Sequence, residues 1–347
     1  MKFNLKHLLL LVVMIATSMP MHAADQFVNH QQKGFVWIAN GKALPILVDE
    51  QEDKGIMRAV NDLQKDANAV TGITPQLMYS PNNAQALIIG SIDSKWIKQL
   101  INNKKIDGAE LKGKTEKFII QTIENPIEGI EKAVVIAGSD KRGTIYGIYE
   151  LSEQMGVSPW YYWADVPVEK HDIVSINEGV YTDGEPAVRY RGLFLNDEAP
   201  CLTSWVKNTF GTDFGGHKFY EKVFELILRL RGNYLWPAMW QWSFYADDPL
   251  NSPTADEMGI IMGTSHHEPM ARNHQEWARK RNEYGVWDYA TNQKTIDKFF
   301  REGMERAAET EDLITIGMRG DGDTPMGGKE GQDDKFVPDY DYMIKLM

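Results

Sequence analysis

From Tyr190 onward the chain repeats one unit: a short apolar run, a polar cluster, then a helical stretch. "RGLFL" halts at Asn196, Asp197 and Glu198; "NYLWPAMW" runs into Gln241 and Trp242; "IIMGT" gives way to Ser265, His266, His267 and Glu268; "LITIGM" ends on Arg319, Gly320, Asp321, Gly322 and Asp323. Consecutive strand-helix units with apolar strands predict a parallel sheet covered by helices. The intervening helix "HKFYEKVFELILRLRG" places Phe219, Val223, Leu226 and Leu230 on one face, with Gly232 at its C-terminal cap. Thr254 and Glu257 read as the capping box of a short helix closed by Gly259. Further helical stretches are predicted over roughly 269–284 and 292–309.

Two parallel architectures compete, a doubly wound sheet and a (β/α)8 barrel. No glycine-rich phosphate loop follows any of these strands, which weighs against a dinucleotide fold. The polar strand ends favour the barrel, where such ends converge on the face that carries active sites. Four strands are half a barrel, however, and half a barrel exposes two sheet edges. The expected fold class is therefore α/β: a small N-terminal α/β domain followed by the first half of a (β/α)8 TIM-type barrel, truncated from a longer protein.

The expected domains are a signal peptide over residues 1–24, the N-terminal domain over 25–185 and the partial catalytic barrel over 186–347. Lys2 and Lys6 precede an apolar run from Leu8 to Ala16, and small residues at Ala23 and Ala24 suit cleavage. The run is too short to span a bilayer. An exported protein, periplasmic or extracellular and free of the membrane after cleavage, is expected. In the N-terminal domain "LPILVDE", "ALIIG", "KFIIQTI" and "AVVIAG" read as strands. Two helices accompany them, one burying Ile56, Val60, Leu63, Ala67 and Val70 before a stop at Gly72, the other burying Ile145, Ile148, Ser152 and Met155.

Composition narrows the functional classes. A hydrophobic fraction of 43% allows a sizeable core. A net charge of -12, with no basic run, makes a poor nucleic-acid binder. Cys201 is the one cysteine, so no internal disulfide can form; it is expected as a small buried apolar residue.

Carboxylates converging without a serine or cysteine nucleophile motif point to acid-base chemistry. Glycoside hydrolysis needs two carboxyl groups flanking the scissile bond, one of them protonated near neutral pH. Asp197, Glu198, Asp321 and Asp323 are the candidates. "NYLWPAMWQWSFY" adds Trp236, Trp240, Trp242, Phe244 and Tyr245 at a strand exit, and indole faces stack on sugars. Arg319 offers a planar fork suited to a substrate carboxylate such as a uronic acid. Adjacent His266 and His267 on an extended segment point to opposite sides and cannot ligate one ion as a helical pair can. They are expected to bond sugar hydroxyls or orient an acid. No metal or other cofactor is predicted.

"GSDKRGTIYGIYELSEQMGVSPWYYWADVP", "RYRGLFLNDEAP", "GNYLWPAMW", "MGTSHHEPM" and "TIGMRGDGD" together resemble glycoside hydrolase family 115, the xylan α-1,2-glucuronidases. The resemblance implies an inverting enzyme that removes α-1,2-linked glucuronic acid, or its 4-O-methyl ether, from glucuronoxylan or glucurono-xylooligosaccharides. It implies Asp323 as an acid-base residue, Asp197 as a second carboxylate that positions water or tunes it, and Arg319 on the uronate. It adds Glu153, donated by the N-terminal domain, with Asn196, Glu198, Trp240, His267 and Glu268 in the substrate pocket. Family members continue beyond the fourth strand with further carboxylates, a helical domain and a β-sandwich that helps form homodimers. A hexosaminidase-like glycosidase of the same layout and an inactive sugar-binding fragment are the alternatives.

Overall fold

The computed structural model describes residues 26–237, 241–317 and 319–321, with 328–330, 336–338, 340, 341 and 344 toward the carboxyl end. The fold is mixed α/β. It opens with short strands β1 (Val28–Asn29), β2 (Phe35–Ala39), β3 (Lys42–Ala43) and β4 (Ile46–Leu47), then helix α1 (Lys54–Thr71). Asp53 caps α1 by accepting the Gly55 N–H at 2.7 Å, and Gly72 ends it in the left-handed region at φ 76°. Ile56, Val60, Leu63, Ala67 and Val70 are buried along it, as their spacing predicts. Next come β5 (Leu77–Met78), β6 (Gln85–Ser91), α2 (Lys95–Asn102), β7 (Phe118–Ile127), β8 (Ile130–Gly138), α3 (Lys141–Gln154), β9 (Val174–Ile176) and β10 (Val180–Tyr181).

These strands form a four-stranded sheet, β1-β9-β2-β3, and a six-stranded sheet, β10-β7-β8-β6-β4-β5. Alternation along β6 serves two cores. Leu87 and Ile89 pack with Ile56, Leu63, Ile145 and Ile148, while Ile88 faces Trp96, Leu100 and Ile119. That is why "ALIIG" carries apolar residues at consecutive positions.

The third sheet begins with β11 (Gly192–Phe194), followed by helices α4 (Cys201–Phe210) and α5 (His217–Arg229). It continues through β12 (Tyr234–Trp236), α6 (Phe244–Asp247), α7 (Asn251–Met258) and β13 (Ile261–Met262). The strands are parallel in the order β11-β12-β13, with Leu193 opposite Leu235 and Leu235 opposite Met262. A β-carbon on Gly192 would lie 1.7 Å from the Tyr234 carbonyl oxygen, so only glycine lets β11 approach β12 this closely. Leu313 adds a parallel bridge to Gly263, its N–H reaching the Met262 carbonyl at 2.8 Å. Beyond β13 lie α8 (His274–Arg279), α9 (Arg281–Tyr284) and α10 (Tyr289–Ala307).

One hydrophobic core runs from the first two sheets into the third, taking in Tyr146, Phe219, Val223, Phe224, Ile227, Leu235 and Met262. Two buried ionic groups cross the same junction. Arg229 donates to Asp66 at 2.9 and 3.2 Å and to Glu225 at 2.9 Å, with the Tyr149 and Tyr161 rings beside its guanidinium. Glu116 accepts from Arg142 and Arg191, both at 2.6 Å, and from Asn233 at 2.7 Å.

Several local expectations are corrected. Leu193 and Phe194 are exposed, at 39% and 52%, because β11 ends the strand order and its outer side meets no other described strand. Leu230 is exposed as well, since it caps α5 and lies past the last packed turn. Arg231, not Gly232, takes the left-handed position, at φ 57°. Gly232 instead sends its N–H to the Ile227 carbonyl at 2.7 Å, completing a Schellman closure. The helix around Thr254 starts at Asn251, so Thr254 lies inside it and Glu257 pairs with Arg58. The 269–284 stretch is broken: Met270 and Ala271 have positive φ, and two short helices follow. The fourth predicted strand is present as the single bridge at Leu313. Cys201 is exposed at the start of α4.

Candidate active site

The carboxyl ends of neighbouring parallel strands are tied together by polar side chains. Asp197, just past β11, is buried, and its Oδ2 accepts two backbone N–H groups, from Gln241 at 2.7 Å and Trp242 at 2.9 Å. The exit of the second strand thus grips the carboxylate of the first.

At the third exit the chain makes a turn, closed by the Glu268 N–H to the Ser265 carbonyl at 2.9 Å. "HHE" is therefore not extended, and the rings of His266 and His267 lie 4.3 Å apart instead of on opposite sides. The turn also folds Glu268 back on itself: its Oε2 accepts the Ser265 N–H at 3.1 Å and its Oε1 accepts Asn273 Nδ2 at 2.6 Å. His267 is buried, its N–H on Ser265 Oγ at 3.1 Å and its carbonyl accepting the His274 N–H at 3.0 Å.

Burial pushes the Glu268 carboxyl up to about 8, its two N–H donors opposing and the charges of Asp197 and Glu276 adding to the rise. At neutral pH this group keeps its proton. Burial raises the Tyr220 phenol too, reinforced by Glu268, Asp197 and Asp247. Two carboxyl groups and a phenol thus share one buried setting. Around them several buried polar atoms have no hydrogen-bond partner among the described residues: Asn196 Oδ1, Trp236 Nε1, Trp242 Nε1 and Thr264 Oγ1. Orphaned donors and acceptors beside a carboxyl pair are what a polyhydroxylated ligand would satisfy.

The other expected residues divide. Asn196 Nδ2 donates to Glu198 Oε1 at 2.9 Å, and Glu198 is exposed. Arg319 is half-buried, its carbonyl accepting Trp287 Nε1 at 2.8 Å. Asp321 is held by Arg281, whose hydrogen bond and charge pull its carboxyl below the ordinary range, and by His274 Nε2 at 2.9 Å. Asp323 and Trp240 lie outside the described residues. Glu153 sits exposed at the end of α3, where its charge faces Arg229 at the layer junction. Among the described residues no group of three or more His, Cys, Asp or Glu side chains is arranged to hold a metal ion.

Sequence reasoning missed Tyr220, Asn273 and Glu276. Asn273 and Glu276 form a full capping box on α8, with the Asn273 N–H on Glu276 Oε1 at 3.0 Å. The signal was legible in "NHQE", an asparagine three residues ahead of a glutamate.

The model for glycosyl hydrolase family 115 matches residues 183–337, and that for the glycosyl hydrolase family 67 N-terminus matches 40–151. The solved structure of a family 115 4-O-methyl-α-glucuronidase with specificity for decorated arabinogalactans is 31% identical at a TM-score of 0.74, covering 90% of this chain. Residues 183–337 belong to glycoside hydrolase family 115. The chain spans 39% of that family 115 structure's own length. A chitobiase of Flavobacterium johnsoniae superposes more loosely, at 12% identity and a TM-score of 0.47, covering 86% of this chain and 44% of its own. A β-hexosaminidase of Streptomyces plicatus does so at 10% identity and 0.42, covering 73% and 46%. Among curated proteins no sequence matches. The family 115 match takes in Asp197, Glu268, Asn273 and Arg319, whereas Glu153 falls outside both matched spans.

Proposed function

We propose that this protein is an exported α-glucuronidase that releases α-1,2-linked glucuronic acid, or its 4-O-methyl ether, from a decorated polysaccharide. The observation that carries the reading is the buried pair of Asp197 and Glu268 at the ends of the first and third strands of the parallel sheet, in a chain that matches family 115. On this reading the wound strands open a (β/α)8 barrel whose carboxyl-end face holds the sugar, and the lysine-led apolar segment at the amino end directs export to the periplasm or beyond.

The proposed mechanism is inverting. A protonated carboxyl gives its proton to the departing glycosidic oxygen, while a carboxylate draws a proton from water on the opposite face of the ring. Such pairs stand roughly 6.5 to 9.5 Å apart. Asp323 is assigned the acid-base role, Asp197 orients water or tunes its partner, and Arg319 grips the uronate. Asn196, Trp236 and Trp242 offer the orphaned polar atoms described above to sugar hydroxyls.

Glucuronoxylan, with its shorter oligosaccharides, is the substrate first proposed. The specificity of the family 115 structure supports a second, uronate-decorated arabinogalactan. Incubating the chain with each polymer and following released sugar by proton NMR tests both. Early appearance of the β-anomer from either substrate is the expected result. The α-anomer overturns inversion, and release of amino sugar from N-acetylated oligosaccharides overturns the uronate assignment.

A further inference from the structure

Asn273 has more bonds than a helix cap requires. Its Oδ1 accepts the Gln275 N–H at 2.7 Å, which caps α8. Its Nδ2 donates twice, to the Trp242 carbonyl at 2.9 Å and to Glu268 Oε1 at 2.6 Å. The orientation is fixed by the partners, since a flipped amide would set its oxygen against two acceptors and its NH2 against a donor. Serine, threonine or aspartate could accept the capping bond equally well. The two donor bonds are what capping leaves unexplained, and they run to the second and third strand exits.

We propose that Asn273 is a positioning residue whose amide locks the 241–242 backbone, so that two N–H groups converge on Asp197, while holding Glu268 at a fixed distance behind it. The consequence for the site is geometric. Trp242 donates to Asp197 through its N–H and accepts from Asn273 through its carbonyl, so one residue transmits the third strand exit to the first. A carboxylate oxygen held by two N–H groups cannot rotate freely, and misplacing a reacting group by about 1 Å costs on the order of 100-fold in rate. Among the described residues, the charged or titratable groups whose fields couple to Glu268 include Asp197, Glu276, Tyr220 and Tyr245. None of these can replace the amide's two donors while also capping α8. The inference rests on Asp197 being an active-site carboxylate, as proposed above.

Asn273→Ser tests it, because serine keeps the capping oxygen and removes both long-range donors. The protonated Glu268 carboxyl has an infrared carbonyl stretch, assignable by its loss in Glu268→Gln, whose pH midpoint can be followed without any substrate. In Asn273→Ser the midpoint moves upward, since a donor favouring the carboxylate has gone, and kcat for uronate release falls about 100-fold with KM little changed. Asn273→Thr, a second residue competent to cap, gives the same shift. A midpoint unmoved in both variants overturns the proposal, whatever the activity. A chain that releases no uronate overturns the functional reading instead, and the midpoint still decides the role of Asn273.

Discussion

Two regions of this molecule bury carboxylates, and they treat them differently. At the junction between the layers, Asp66, Glu225 and Glu116 each meet a guanidinium, and Arg229 is itself almost fully enclosed. At the strand ends, Asp197 and Glu268 accept from backbone and amide N–H groups, and indole and amide atoms without a partner among the described residues lie near them. Burial raises Asp66 against the pull of Arg229, while at Glu225 Arg229 and Lys222 outweigh burial and hold the carboxyl below its ordinary range. Burial among neutral donors instead raises Glu268 until it keeps its proton at neutral pH. The same residue type thus pairs with cations in one region and with neutral donors in the other.

That contrast can be broken first at the junction. Arg229→Met leaves Asp66 buried without its cation and Glu225 with Lys222 alone, and urea unfolding should show a loss of about 3 to 5 kcal/mol. A loss under about 1 kcal/mol would mean the pair is not what joins the layers. Asp197→Asn should behave oppositely, lowering kcat by about 10² to 10⁴ while urea stability stays within about 1 kcal/mol of the parent. A variant that unfolds instead would move Asp197 into the structural class.

The strand-end carboxyl also predicts a pH dependence. Glu268 is raised from an ordinary 4.5 to about 8 in the folded chain, so the folded state holds a proton the unfolded state has lost. Its contribution to stability is complete below about pH 4.5 and declines as pH rises toward 8. Thermal melts across that window should show Glu268→Gln flattening this part of the profile, and an unchanged slope would remove the shifted proton. The smallest effect belongs to Asp321, whose carboxyl is depressed chiefly by its bond to Arg281 and remains 44% exposed. Its contribution is present above the ordinary 3.8 and fades as pH falls through its folded value. Asp321→Asn should therefore cost about 0.5 kcal/mol at neutral pH and nothing in strong acid.

Much of the fold was written in local patterns. The buried stripe of α1, its stop at Gly72 and the strand runs through "ALIIG" and "AVVIAG" follow from periodicity and turn chemistry. Candidates for the site were legible as polar residues at strand ends, and the charge of Asp197 does reach Glu268. Their supports were harder to see. Tyr220 reads as one more apolar position on α5, and Asn273 as an ordinary cap, because what distinguishes them lies in residues distant along the chain. Asp321 resembles a catalytic acid until Arg281, forty positions earlier, is seen to hold it.

The sequence by itself determined the order of elements, the face each helix buries and the places where apolar strands turn polar, since these depend on neighbours a few residues apart. Only the tertiary structure decided which carboxyl groups share a setting, which are neutralised by arginine, and that Leu193 and Phe194 stand exposed. Those outcomes depend on parallel register, Leu193 beside Leu235 and Leu235 beside Met262, and on side chains reaching between strand exits. Register fixes the distances between remote residues, and through those distances the charge each one can carry.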